Sequence, residues 1–277
     1  MKTIGILLCI TLACCHANPF GSRIAGGDEA EPGQFPFQVG LSITKENDVW
    51  SWCGGSIIAK RWILTAAHCL NRAISIEVWL GTNKVNTYPI PKGTQKIVVS
   101  DQRSFIKHSN FDSSNLAHDI GLIALPVEVM FNGNIEPVNL PIVSKNYANY
   151  TNYKAIAAGW GRIADDKPGT INDLRFVNLA ILELETCAMY YKKGLVEEKH
   201  ICVETSNGRS TCTGDSGGPL VLSGTRVQIG LVSFGASTGC QKNVPVVLTR
   251  ITSYMDWIRE KTGLQFATDE LDLSKFY

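Results

Sequence analysis

Phe37, Val39, Leu41 and Ile43 alternate with Gln38, Gly40 and Ser42, and Ile74, Ile76, Val78 and Leu80 alternate in the same way with Ser75, Glu77 and Trp79. A period of two sends successive side chains to opposite faces of a pleated strand, so both stretches predict half-buried β-strands with the aliphatic set inward. The run Ile229-Gly230-Leu231-Val232-Ser233-Phe234 predicts a more fully buried strand. Turn-forming clusters such as Asn132-Gly133-Asn134 and Lys167-Pro168-Gly169 punctuate these runs at short intervals. Many short strands with frequent turns predict an all-β sandwich or barrel. Near the end, Ile251, Tyr254, Met255, Trp257 and Ile258 fall at helical spacing, with Ser253 as the expected cap and Gly263 as the stop. The tail that follows, residues 264–277, is acidic in its middle, shows no period and is expected to be loosely ordered.

The first residues obey a different rule. Lys2 precedes a short apolar run, Ile4 to Ala13, and the small-residue pattern Cys15-His16-Ala17 offers a cleavage point. This is the form of a secretory signal over residues 1–17, too short to span a bilayer as a helix. No later stretch is long and apolar enough for a membrane anchor, so the expectation is a soluble, secreted, extracellular protein with no membrane partner. The 277 residues, 44% hydrophobic and 18% charged, suffice for a sizeable core. Removing residues 1–23 takes away Lys2 and Arg23 and no acid, turning a net charge of +1 into −1. That balance, without a long basic run, points away from nucleic acid.

Export changes the meaning of the cysteines. Of nine, Cys9, Cys14 and Cys15 leave with the signal, and Cys53, Cys69, Cys187, Cys202, Cys212 and Cys240 remain. An even set in an exported chain reads as three disulfides, and the lack of any C-x-x-C pair argues against zinc. Fifteen pairings are open at this point.

Three clusters carry candidate chemistry: Leu64-Thr65-Ala66-Ala67-His68-Cys69, His118-Asp119-Ile120-Gly121-Leu122, and Thr213-Gly214-Asp215-Ser216-Gly217-Gly218-Pro219. A serine hydroxyl is a poor nucleophile at neutral pH and needs an adjacent base. Glycines around Ser216 permit a sharp turn that exposes backbone amides, and those of Gly214 and Ser216 are placed to meet a developing oxyanion. The string also fits the G-x-S-x-G elbow of α/β-hydrolases, which requires a histidine after the serine. The five histidines are His16, His68, His108, His118 and His200, and none follows Ser216. The base therefore lies earlier, and His68, beside a cysteine that fixes its backbone, leads the candidates. Asp119 opens the apolar run Ile120 to Leu125. A buried carboxylate needs a partner, and the His68 imidazole would serve.

In the order His, Asp, Ser, these clusters resemble the chymotrypsin/trypsin family. Further matching pieces are Ile24-Ala25-Gly26-Gly27, Cys53-Gly54-Gly55-Ser56 and Gly159-Trp160-Gly161, and the likeness spans roughly Ile24 to Gly263. The resemblance implies two six-stranded antiparallel β-barrels in a domain over residues 24–263, divided near residues 130–140, with the triad in the cleft between them and a short C-terminal helix. It implies disulfides 53–69, 187–202 and 212–240, and a serine endopeptidase that works through an acyl-enzyme on protein or peptide substrates. It further implies a propeptide over residues 18–23, cut at Arg23-Ile24 so that the new α-ammonium of Ile24 pairs with Asp215. By the same likeness Ser210 forms the base of the substrate pocket, Ser233 and Gly235 lie on the strand beside the substrate, and Val246 shortens the pocket.

Ser210 carries no charge, which argues against Arg or Lys before the cut. The expectation is an apolar preference, Leu, Met or Phe ahead of Trp, with an elastase-like taste for smaller residues as the near alternative. Activation then falls to a trypsin-like partner, and protein inhibitors are further expected partners. A weaker similarity links Val49 to Trp52, Gly239-Cys240 and Tyr254-Met255-Asp256-Trp257 to arthropod chymotrypsin-like and collagenolytic members. Residues 84–100 contain no acid, so no calcium is expected there, nor any cofactor or metal elsewhere. Asn149-Tyr150-Thr151 is a glycosylation sequon. The other class of function is a non-catalytic homologue that binds a partner on this scaffold. Such proteins typically lack a triad member, whereas all three match here.

Overall fold

The alternating segments become the centre of the first of two antiparallel sheets. The computed structural model describes residues 27–167 and 169–268. The expected signal peptide at 1–17, the propeptide at 18–23, the Arg23-Ile24 cut, Pro168 and residues 269–277 lie outside the described residues.

The strands in chain order are β1 (Asp28–Glu29), β2 (Gln38–Lys45), β3 (Val49–Ala59), β4 (Trp62–Thr65), β5 (Ala73–Leu80), β6 (Gln95–Val99), β7 (Phe105–Lys107) and β8 (Gly121–Ala124). They continue with β9 (Lys154–Gly159), β10 (Arg175–Leu182), β11 (His200–Val203), β12 (Pro219–Leu222), β13 (Gln228–Phe234) and β14 (Val246–Arg250). Two short helices, α1 (Ala67–Leu70) and α2 (Leu184–Ala188), sit on the connections, and α3 (Met255–Thr262) ends the fold.

The first sheet runs β6-β5-β2-β3-β4-β8-β7, and the second runs β1-β10-β11-β14-β13-β12-β9. In the second, β9 also pairs with β10 from Arg175↔Gly159 to Ala180↔Lys154, which closes six strands into a barrel with β1 appended. The first sheet curls without such a closing ladder among the described residues. The expected pair of six-stranded barrels is therefore one closed barrel and one half-barrel. The core of the half-barrel draws Ile251, Tyr254, Met255 and Ile258 from the far end of the chain, so the C-terminal helix completes it. A separate core, including Val177, Ile201, Leu220, Ile229 and Leu248, fills the closed barrel.

The inward sets Val39, Leu41, Ile43 and Ile76, Val78, Leu80 are buried, as their period predicts. The opposite faces are less wet than the pattern implies: Gln38, Gly40 and Trp79 are buried too. Trp52, Trp79 and Trp160 form an aromatic cluster contributed by both halves of the chain. A methyl on Gly40 would lie 2.8 Å from the Trp52 ring. Strand β13 is buried along all but its last residue, as expected of an unalternated run.

At the C-terminal helix the stop is Gly263, in the left-handed conformation at φ 70°, its N–H donating to Arg259 O. Ser253 is not the cap. It lies inside a 3-10 turn, Ile251–Tyr254, that precedes α3, and Tyr254 occupies the N-cap position without a side-chain bond. The start of the tail is ordered, because Leu264 and Phe266 pack on the core and Val143 N donates to Ala267 O at 2.8 Å. Disulfides join Cys53 to Cys69, Cys187 to Cys202, and Cys212 to Cys240.

Candidate active site

The site forms where the two halves touch. Gly54 on β3 and Gly218 before β12 approach so closely that a methyl on Gly54 would lie 2.9 Å from Gly218 Cα. Gly54 N donates to Ser216 O at 2.8 Å. Gly217 takes φ +76°, and a methyl there would lie 2.7 Å from Gly54 O and nearer still to Thr65 Oγ1. Only glycine fits this position, for conformation and for space alike. The close approach delivers Ser216 to α1, where Cys69 Sγ lies 3.6 Å from Ser216 O.

His68 is the second residue of α1 and is held at two points. Its backbone N–H donates to Asp119 Oδ1 at 2.9 Å, and ring Nδ1 lies 2.7 Å from Asp119 Oδ2. The imidazole side chain remains 25% exposed while the carboxylate is wholly buried. Asp119 enters from the turn before β8, where Ile120 N donates to His118 O at 2.8 Å. Strands of the closed barrel complete its shell: Ser233 Oγ on β13 donates to Asp119 Oδ2 at 2.6 Å, and Thr249 Oγ1 on β14 donates to Asp119 O at 2.7 Å. Burial opposes the charge on Asp119, but the adjacent imidazole and the bonds from His68 and Ser233 outweigh it. The net effect holds the carboxyl below the usual carboxylate range. Such an arrangement fixes Nδ1 as the protonated nitrogen and leaves Nε2 to act as a base.

Gly214 has φ +100°. Among the described residues, neither its amide nor that of Ser216 has an acceptor. Two unspent donors on one short loop can bind an oxygen that gains negative charge. Between them, Asp215 turns inward and is buried, accepting from Gly161 N at 2.9 Å and Cys212 N at 2.8 Å. Burial pushes its carboxyl up to about 6, despite the two amides that favour the charged form. A methyl on Gly161 would stand 2.6 Å from that carboxyl group, which accounts for the glycine in Gly159-Trp160-Gly161.

Beside Ser216 opens a cavity of about 190 Å³. All four pocket residues expected from the sequence, Ser210, Ser233, Gly235 and Val246, line it. Its lining carries no charged side chain, and Ser210, fully buried, donates from Oγ to Thr211 O at 2.7 Å. Val246 Cγ2 reaches within 3.5 Å of where a Gly235 Cβ would stand. Two His/Cys/Asp groupings, Cys53-His68-Cys69 and Asp165-Cys212-Cys240, bring potential donor atoms together. The cysteines in both are spent in disulfides and offer no thiolate for a metal.

Two partners of the site escaped the sequence reading. Ser233 stood there only as a substrate-strand residue, yet its hydroxyl binds Asp119; Thr249 had no assigned role. Both follow Asp119 by more than 100 residues, and no local pattern links them to it.

Residues 24–258 match the protein family described as Trypsin. The collagenase of Hypoderma lineatum is 40% identical over 244 residues, covering 88% of this chain and 89% of that protein. The brachyurin of Leptuca pugilator is 36% identical over 87% of this chain and 99% of its own. Among solved structures, HL collagenase superposes with a TM-score of 0.76 at 38% identity, over 87% of this chain and 99% of that one.

Proposed function

The chain belongs to the trypsin family of serine endopeptidases, and on that footing we propose that it is a secreted zymogen whose active form uses Ser216, His68 and Asp119 to cut after apolar residues. The observation that carries this reading is the Asp119 carboxylate, buried and locked onto His68 Nδ1 at 2.7 Å, with Ser216 O bonded to Gly54 N and 3.6 Å from Sγ of Cys69, the residue next to His68. His68 Nε2 removes the proton of Ser216 as Oγ attacks the substrate carbonyl. The carbonyl oxygen gains charge and is received by the amides of Gly214 and Ser216. His68 then passes the proton to the departing amine, leaving an acyl-enzyme on Ser216. Water, deprotonated in turn by His68, releases the acid.

Cleavage after Arg23 frees the α-ammonium of Ile24, which pairs with Asp215. The raised pKa of that carboxyl supports this step, since burial leaves its charge costly until a cation arrives. The uncharged Ser210 and the Val246 side chain support a preference for Leu, Met or Phe before the cut, and a trypsin-like enzyme as activator. Residues 1–17 direct export and residues 18–23 are released.

A fluorophosphonate probe tests the reading after trypsin treatment of the purified chain. Labelling of the cut wild type, with none on Ser216→Ala, is expected. A cut wild type that takes up no label, or a Ser216→Ala variant that does, overturns it.

A further inference from the structure

Asp165 lies in the loop between β9 and β10, with its side chain 27% exposed, and does not line the cavity beside Ser216. Its carboxylate nevertheless grips the cavity rim. Oδ1 accepts from Cys240 N at 2.6 Å, and Oδ2 accepts from Gln241 N at 3.4 Å. The clasp is returned, since Asp165 N donates to Gln241 Oε1 at 3.2 Å, and Lys242 Nζ stands 3.7 Å from Oδ2. Gly239, at φ +134°, makes room for it: a methyl there would lie 2.6 Å from Asp165 Cγ and nearer still to Oδ2.

Gly239 and Cys240 are themselves walls of the cavity, and Cys240 is bonded to Cys212, another wall residue. Cys212 N in turn donates to Asp215, and the same β9–β10 loop reaches Asp215 through Gly161 N. One loop thus holds the pocket at two points: at the Asp215 end through a backbone amide, and at the outer rim through a side chain.

We infer that Asp165 is a positioning residue that sets the width of the specificity cavity by fixing Gly239-Cys240-Gln241. The inference rests on the pocket assignment above. Asp165 touches neither the substrate nor the reacting atoms, so its loss acts on how firmly a large apolar side chain is held. A charge-assisted acceptor is exchanged for water, the rim segment gains freedom, and bound substrate has to order it again.

Trypsin-cut wild type, Asp165→Ala and Asp165→Asn are compared on peptides that differ only in having Phe, Leu or Ala before the cut, alongside the fluorophosphonate labelling rate. Asp165→Ala is expected to raise KM for Phe about tenfold and for Ala less than threefold, with kcat and labelling within about twofold of wild type. Asp165→Asn keeps one carbonyl acceptor for Cys240 N and falls between. Equal KM values across the three enzymes overturn the inference. So does a parallel loss of kcat and labelling for every peptide, which would place Asp165 in service of the nucleophile loop or of folding. An inert wild type would instead sink the assignment of Ser216, so the two failures are told apart.

Discussion

Ser233 Oγ donates to Asp119 Oδ2 at 2.6 Å, joining a strand of the closed barrel to the turn that opens β8 of the half-barrel. The oxygen that receives this bond is the one that faces His68 Nδ1. Asp119 is thus held from the second half of the molecule while it fixes the His68 imidazole in the first. The hydroxyl favours the ionised carboxylate.

Replacing Ser233 by Ala removes that donor and leaves the backbone strand intact. The activated enzyme is expected to lose about tenfold in kcat/KM, the order of one hydrogen bond to a charged group. Steady-state kinetics with a Leu peptide measure this, and a variant within twofold of wild type would show the hydroxyl to be idle.

Asp119→Asn preserves shape but presents an amide to His68 and favours the wrong tautomer. The expected fall in kcat is about 10⁴-fold, the size reported for this change in the well-studied Ser-His-Asp template. Circular dichroism matching wild type, combined with near-normal turnover, would remove Asp119 from the mechanism.

Asp215 makes the uncut chain sensitive to pH in a direction opposite to that of an acid held ionised by a cationic partner. Its folded pKa, about 6, lies above the ordinary 3.8, so the folded state holds the proton more tightly than the unfolded state does. Stability from this group is fully present below about pH 4, is lost as pH rises to about 6, and is flat beyond; the loss is about 3 kcal/mol. Urea melts of an Arg23→Gln chain from pH 4 to 8 are expected to show this slope, and Asp215→Asn in that background to abolish it. Identical pH slopes with and without the carboxyl would contradict the assignment.

Val246, 5% exposed, lines the cavity beside Ser216. Val246→Gly is expected to shift the Trp-to-Leu ratio of kcat/KM upward about tenfold, at a stability cost of about 2 kcal/mol. A peptide series with thermal melts reads both quantities. An unchanged ratio would place the selectivity elsewhere in the cavity.

Much of this molecule is local in origin. The period of two in Phe37–Ile43 and Ile74–Leu80, the unbroken run at 229–234 and the glycine that stops α3 each depend on a few adjacent residues, and each appears where its pattern puts it. The strings around His68, Asp119 and Ser216 were legible for a related reason: turns that expose a serine or admit a carboxylate need particular small residues beside them. Family likeness, not spacing, supplied the disulfide pairing. Tertiary structure alone decided that Gln38 and Trp79 are buried, that one barrel closes among the described residues while the other sheet only curls, that Ser253 falls inside a 3-10 turn, that Ser233 and Thr249 bond Asp119, and that Asp165 bonds Cys240. Those facts turn on contacts between residues tens to hundreds of positions apart. A chain can encode such contacts only through the shape into which all its strands pack, so no window of sequence contains them.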